Sequence, residues 1–187
     1  MSMSDSAAAD EDSADAGAAR GGDGKAFARL IRRHEAAVAA RMWRFTRDPG
    51  AHADLVQEVF VAAYQGLGGY RASGPFAHWL AVIAVRAGYA YWRARARRPD
   101  ALDETAARRL AESPPPGTAA AEAGELVHRA LACLPPRDRL VLTLLYLEGR
   151  TVAEAAELTG WSRVMVKVQA WRARAKLRKA LETEDER

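Results

Sequence analysis

The residue types that commonly carry out catalysis are present in this sequence, but their spacing does not form a catalytic site. The four histidines are scattered along the chain, and neither HExxH nor CxxC occurs. No nucleophilic side chain has an evident base near it in the sequence. His34 lies on an apolar helical face, which is more typical of a packed histidine than of a metal ligand. We therefore predict that the protein is not an enzyme and has no catalytic residue, metal site or cofactor.

Arginines and aromatic residues occur together in the distal half of the third predicted helix, residues 76–97. Aromatic faces stack on unpaired bases, and guanidinium groups bind phosphates. We expect the arginines at the surface and Trp79 in the core, whereas the other aromatic residues could be either. The residues that indicate a contact with single-stranded nucleic acid are Arg86, Tyr89, Tyr91, Trp92, Arg93, Arg95, Arg97 and Arg98.

Residues 151–179 have the pattern of two helices joined by a tight turn. Thr151 and Glu154 have the spacing of a capping box, Gly160 can end the first helix, and Ser162 can cap the second. This pattern predicts a helix-turn-helix whose second helix enters a DNA major groove. An ordinary helical hairpin is the alternative.

The second of these helices has an unusual outward face. At about 100° per residue, Val164, Val168 and Trp171 point outward. They lie almost opposite an inward apolar stripe that consists of Val166, Ala170, Ala173, Leu177 and Leu181. Exposed apolar patches usually mark a contact surface. The valines either pack on thymine methyl groups or are covered by an inhibitory partner. Cationic side chains suited to phosphates surround the patch at Arg163, Lys167, Arg172 and Arg174.

An acidic patch is predicted on the second helix, at about residues 51–65. Asp54, Gln57 and Glu58 are expected to be exposed there, on a domain that is otherwise basic. The patch is either simply solvated or a surface for docking a protein, kept away from nucleic acid.

These sites are expected on two small helical domains, because the chain lacks an alternating strand pattern. The net charge supports a polyanionic partner, since residues 25–181 hold 26 basic and 14 acidic side chains.

The single Cys133 and the lack of a long apolar span predict a cytoplasmic protein without membrane insertion. The predicted order is a disordered acidic N-terminal extension (1–24), a first domain (25–98), a flexible linker (99–124), a helix-turn-helix domain (125–181) and an acidic tail (182–187).

Motifs in both predicted domains resemble one family, the sigma-70 initiation factors. The segment DLVQEVF at residues 54–60 resembles the part that grips core RNA polymerase, and residues 76–98 resemble the promoter-melting helix. LPPR at residues 134–137, LEG at 147–149 and later residues of the last helix resemble the domain that reads the minus-35 element. The short span between the two sets is similar to the two-domain extracytoplasmic-function (ECF) group.

The resemblance implies roles and partners for the predicted sites. The acidic patch would dock on core RNA polymerase, and the helix-turn-helix would read the minus-35 element through Arg163, Val164, Lys167, Val168, Trp171, Arg172 and Arg174. The loop at about 70–74 and the third helix would capture a flipped base of the minus-10 strand, through Tyr70, Arg71, Ser73, Arg86, Tyr89, Arg93 and Arg97.

The sequence also departs from the family. The family typically has Asn at the position of Arg86 and Gly-Thr-Val-Lys-Ser-Arg at residues 164–169, where this chain has VMVKVQ. The promoter sequence therefore does not follow from the resemblance. Two other functions remain open: a sigma-like decoy that binds an anti-sigma factor, and a helix-turn-helix repressor.

Overall fold

The computed structural model describes residues 3–97 and 119–185, and their regular elements are all helical. The predicted all-α class is confirmed, and the chain divides into two compact units, residues 1–88 and 89–187. The helices are α1 (Met3–Arg20), α2 (Gly24–Met42), α3 (Pro49–Gly66), α4 (Phe76–Ala96), α5 (Ala119–Ala132), α6 (Pro136–Leu142), α7 (Val152–Thr159) and α8 (Arg163–Asp185).

Two aspartates cap the N-termini of α2 and α3 in the first unit. The Asp23 carboxylate accepts hydrogen bonds from the backbone N–H groups of Lys25 and Ala26, and Asp48 accepts one from Ala51. These bonds satisfy amides that have no partner inside the helix. The two helices and the start of α4 then bury a core in which Leu30, Met42, Phe45, Val59 and Phe76 are almost inaccessible.

A glycine allows α4 to approach this core closely. A Cβ atom at Gly88 would lie 2.4 Å from the ring of Phe45, which is itself fully buried. No other residue fits at this position without movement of the ring or the helix.

The second unit is organised around α7 and α8. The capping box at Thr151 and Glu154 is confirmed, Gly160 has the left-handed conformation with φ of 74°, and the Ser162 hydroxyl accepts from the Met165 N–H at 3.1 Å. A π-helical turn at Thr143–Leu147 extends α6. The residues that join these helices in one core include Leu140, Val141, Leu144, Ala155, Leu158, Val166, Ala170 and Ala173.

The prediction that residues 1–24 are disordered is wrong for most of that segment. Residues 3–20 form α1, which packs against α2 and buries Ala16 and Ala19. The segment has few large apolar side chains to bury, and ion pairs between α1 and α2 hold it in place instead. Composition alone could not reveal them, because the partners are 14 to 22 positions apart in the sequence.

The other end of the chain also differs from the prediction. Helix α8 continues to Asp185, so helical structure extends into the segment expected to be a tail. Leu181, which was placed on the buried stripe, is 45% exposed because it lies beyond the last core residue of that helix, Ala173. Most of the predicted linker, residues 99–118, lies outside the described residues, as does Arg98.

Candidate nucleic-acid and protein interfaces

The predicted acidic patch lies on the outer face of α3. Asp54, Gln57 and Glu58 are all exposed, while Leu55 and Val59 of the same helix point into the core. Positions three and four apart share a helix face, so the three polar side chains form one continuous patch.

An apolar groove borders this patch and was not predicted from the sequence. It has a volume of about 780 Å³ and lies between α2 and α3, with Gln57 in its wall. Phe27 and Tyr64 meet across it with ring centroids 5.0 Å apart. Val61 and Tyr64 are about half exposed. Their positions outside the core-facing stripe of α3 were the feature of the sequence that could have indicated the groove. A polar patch beside an open apolar groove is suited to binding another protein.

The loop between α3 and α4 is shaped by Tyr70. The ring of Tyr70 is buried against Phe76 and Trp79, and its hydroxyl donates to the Gly74 carbonyl at 3.0 Å. Burial, and then the nearby charge of Asp12, raise the pKa of Tyr70. Tyr70 therefore holds the loop in shape, and its own contact with minus-10 DNA stays a prediction.

Other predicted residues of this loop and of α4 are exposed. Arg71 and Ser73 point to solvent from the loop, and Arg86, Arg93 and Arg97 are exposed on α4. At 100° per residue these three arginines lie within about 40° of one another, on one face of the helix.

The aromatic residues of α4 have separate environments. Tyr89 is half-buried under the Arg93 guanidinium, 5.7 Å from its ring centroid, and Trp92 is buried. Arg95 lies on the opposite face from Arg93, where its guanidinium donates to the Tyr91 hydroxyl at 3.0 Å. The predicted basic and aromatic cluster is thus divided between two faces.

The helix-turn-helix exposes the apolar face predicted for α8. Val164 is 71% exposed, Val168 42% and Trp171 66%, whereas Val166 and Ala170 are buried. The cationic side chains around them, Arg163, Lys167, Arg172 and Arg174, are exposed as well. Arg174 also donates to the Tyr146 hydroxyl at 3.1 Å, which directs its side chain toward the π-helical turn.

A buried carboxylate that the sequence analysis missed fixes α8 in place. Asp138 in α6 is 1% exposed and accepts hydrogen bonds from Gln169 at 2.5 Å and from Lys176 at 2.6 Å. Both donors belong to α8, so the buried carboxylate sets the rotation and position of that helix. A buried acid needs such partners, but their separations of 31 and 38 residues hide them in the sequence.

Neither a cluster of metal ligands nor a membrane-spanning helix is found in the part of the chain that the structure describes. No group of three or more His, Cys, Asp or Glu side chains among the described residues could hold a metal ion. Across the described ranges, no helix has both the length and the apolar character needed to cross a membrane.

Comparisons with known proteins match this architecture. The family models described as Sigma-70 region 2 and Sigma-70, region 4 match residues 30–98 and 124–177. The RNA polymerase sigma-H factor of Pseudomonas aeruginosa is 31% identical over 171 residues, which cover 86% of this chain and 89% of the relative. The ECF RNA polymerase sigma-E factor of Escherichia coli K12 is also 31% identical, over 82% of this chain and 85% of the relative.

Solved structures have the same fold. CnrH, in complex with the cytosolic domain of CnrY, matches with a TM-score of 0.59 and 28% identity over 92% of this chain and 98% of that chain. RpoE of Bartonella quintana, in complex with the anti-sigma factor NepR, matches in fold with a TM-score of 0.55 and 19% identity over 84% of this chain and 98% of that chain.

The chain belongs to the sigma-70 family of RNA polymerase sigma factors, within the ECF group. The predicted family and fold are thus confirmed, and with them, at the level of the family, the partners core RNA polymerase and promoter DNA. The members of this family are transcription initiation factors.

Proposed function

We propose that this chain directs core RNA polymerase, in the cytoplasm, to promoters that it reads at two elements. Helix α8 reads the minus-35 duplex, and the loop at 70–74 with the exposed face of α4 holds the melted minus-10 strand. The patch and groove on α3 bind the polymerase.

The exposed face of α8 is the observation that carries this proposal. Val164, Val168 and Trp171 project away from the core, and packing of the helix uses other residues. An apolar strip rimmed by cations fits the major groove, because methyl groups of thymine lie there and phosphates flank it. A helical hairpin with a structural role alone has no need of this arrangement.

The surface of α3 supports the polymerase role. Asp54 and Glu58 place negative charge on α3, while α2 and α4 carry mostly positive side chains. Such a patch repels DNA and is suited to a basic protein surface. A repressor has no use for a polymerase-docking surface, so this feature favours an initiation factor over the repressor.

The arginines of α4 support the minus-10 role. Arg86, Arg93 and Arg97 form a line along one face of the helix, and Tyr89 lies beside them. A cationic track with an aromatic side chain is typical of surfaces that hold a single strand.

Transcription by purified components tests the proposal. The full chain is mixed with purified core RNA polymerase and genomic DNA, and the 5′ ends of the RNA are sequenced. We expect new start sites that share two short upstream elements. Start sites identical to those of core polymerase alone would contradict the proposal, and duplex binding without new transcripts would indicate the repressor.

A second function is favoured by the same exposed patch. In this function an inhibitory protein covers Val164, Val168 and Trp171 while the factor is silent. The structure of CnrH, which has a similar fold, is itself that of a complex with another protein, the cytosolic domain of CnrY. If DNA reading is the main role, Val168→Ser lowers transcription of the target genes in cells. If an inhibitory protein holds the factor silent through this patch, the same change raises it.

A further inference from the structure

Helices α1 and α2 are opposite in charge. The 18 residues of α1 include five carboxylates and one arginine, and Met3 is its only large apolar residue. The 19 residues of α2 include five lysine or arginine side chains and one carboxylate. This complementarity is not accounted for by either the polymerase surface or the minus-35 surface.

Two carboxylates of α1 are paired with three side chains of α2. Asp15 accepts hydrogen bonds from Arg29 at 2.9 and 2.5 Å and from Arg33 at 2.6 Å. Asp12 pairs with Arg33 at 2.8 Å and with His34 at 2.7 Å. Both carboxylate side chains are nearly buried, at 8% and 11% exposure. The hydrogen bond to Arg29 is the main reason why the pKa of Asp15 is lowered.

The two carboxylates imitate neighbouring phosphates. They lie one helical turn apart, at positions whose Cβ atoms are about 5–6 Å from each other. The guanidinium fork that accepts a carboxylate also fits a phosphate. Arg29 and Arg33 are therefore arranged as they would be to hold two anionic groups of one strand.

The attachment of α1 depends on charge more than on apolar burial. Its described side chains contribute only Ala16 and Ala19 to the apolar core. Ion pairs of partly exposed arginines weaken as salt or a competing polyanion is added. The turn that joins the two helices contains Gly22 with φ of 98°, and α2 has its own cap at Asp23. Release of α1 would therefore leave the start of α2 intact.

The covered face of α2 adjoins the loop that we assign to minus-10 DNA. The ring of His34 lies 5.4 Å from that of Phe76, and Phe76 lies 5.5 Å from Tyr70. Helix α1 itself contacts the short turn at Leu67–Gly69, just before the loop. The covered face of α2 and the loop are therefore linked through the buried rings of Phe76 and Tyr70, and α1 reaches the start of the loop.

We propose that Arg29, Arg33 and His34 form a phosphate-binding surface for single-stranded DNA, and that α1 occupies this surface in the free protein as a competitor of the strand. The proposal rests on the proposed function in one respect, the use of the neighbouring loop for the minus-10 strand. It adds a further contact surface and a helix that must leave before the strand binds.

Two charge-matched variants of the full chain test the competition. The first is Asp12→Asn with Asp15→Asn, which removes the paired carboxylates. The second is Asp10→Asn with Glu11→Gln, which removes the same charge from exposed positions of α1. The probe is a fluorescein-labelled single-stranded oligodeoxythymidine of 15 nucleotides, followed by anisotropy without polymerase.

We expect the first variant to bind the probe about tenfold more tightly than the wild type if α1 is docked in roughly nine of ten molecules. The second variant should gain much less, and adding Arg29→Ala with Arg33→Ala to the first variant should remove its gain. Equal gains in the two charge-matched variants, or no gain in the first, would overturn the proposal.

Hydrogen exchange of the wild-type chain gives a test that does not depend on the folding of a variant. Saturation with the same oligonucleotide should increase exchange of the α1 amides while those of α2 stay protected. Unchanged protection of α1 in the saturated complex would also overturn the proposal. Transcription with core polymerase is measured separately on the wild-type chain, so loss of the proposed function is distinguishable from failure of this competition.

Discussion

At Val168 the side chain is 42% exposed on the outward face of α8, between cationic residues. A single exposed valine is common, but Val168 belongs to an exposed apolar patch, and such patches mark contact surfaces. The thymine methyl is the apolar group that the major groove offers. In the proposed function, Val168 supplies sequence preference, while neighbours such as Lys167 supply affinity without preference.

Changing Val168 to Ser should reduce discrimination at one thymine of the minus-35 element and keep most of the non-specific affinity. Loss of one methyl contact is worth about 0.8 kcal/mol, or roughly fourfold in affinity. Binding is measured with minus-35 duplexes in which each thymine in turn is replaced by uracil, which lacks only the methyl group. Val127→Ser is the control, since Val127 is 41% exposed on α5. If no uracil substitution weakens the wild-type protein, the valines do not read methyl groups and the covered-patch interpretation replaces this one.

Gly88 is a position at which the packing of the first unit leaves no room for a side chain. Gly88→Ala should destabilise the protein by about 1–3 kcal/mol, because the new methyl group overlaps the buried Phe45 ring. Thermal unfolding followed by circular dichroism measures the change. Gly124→Ala is the matched control, because that helical glycine has no atom within 4 Å of its Cβ position and alanine favours a helix. Equal melting temperatures for the two variants would contradict the close contact.

At the scale of the helix, α4 divides its arginines by face. Arg93 and Arg97 are exposed on one side, whereas Arg95 on the other is bonded to Tyr91. A tract of arginines in a sequence thus does not form a single binding surface, because a helix turns about 100° at each residue.

Arg93→Ala and Arg97→Ala should each weaken binding to a single-stranded minus-10 oligonucleotide regardless of its sequence. Each lost phosphate contact should lower the slope of log K against log salt by roughly 0.7. Arg95→Ala is the internal control and should leave the slope unchanged. Titrations at four or more salt concentrations give the slopes. A change of base preference at constant slope would mean that Arg93 or Arg97 contacts a base.

At the scale of the whole molecule, the proposed contacts are divided between two compact units. The acidic patch belongs to the first unit, and helix α8, which we propose to read the minus-35 duplex, belongs to the second. Substitutions in one unit that expose no buried group should leave the binding by the other unit unchanged.

Replacing Asp54, Gln57 and Glu58 together with Ala should weaken binding to core RNA polymerase by about tenfold or more, which corresponds to at least 1.4 kcal/mol. Binding to a minus-35 duplex should not change, and neither should the melting temperature, since all three side chains are exposed. A pull-down titration with core polymerase and anisotropy with the duplex measure the two affinities. Polymerase affinity equal to that of the wild type would exclude the patch as the docking site.

The sequence by itself determined the features that depend on local chemistry. The all-helical fold, the capping box at Thr151, the glycine that ends α7 and the outward valines of α8 all follow from spacing within one or two helical turns. Family membership follows for the same reason, because its motifs are short and contiguous.

Only the tertiary structure decided which distant groups meet. It paired Asp12 and Asp15 with α2 and ordered a segment whose composition predicts disorder. It buried Tyr70 and Asp138, which are polar residues of loop and surface type, and it opened a groove beside the acidic patch. These outcomes depend on contacts between residues far apart in the chain, and such contacts leave no periodic signal in the sequence, because each partner can lie at any position that the fold brings near.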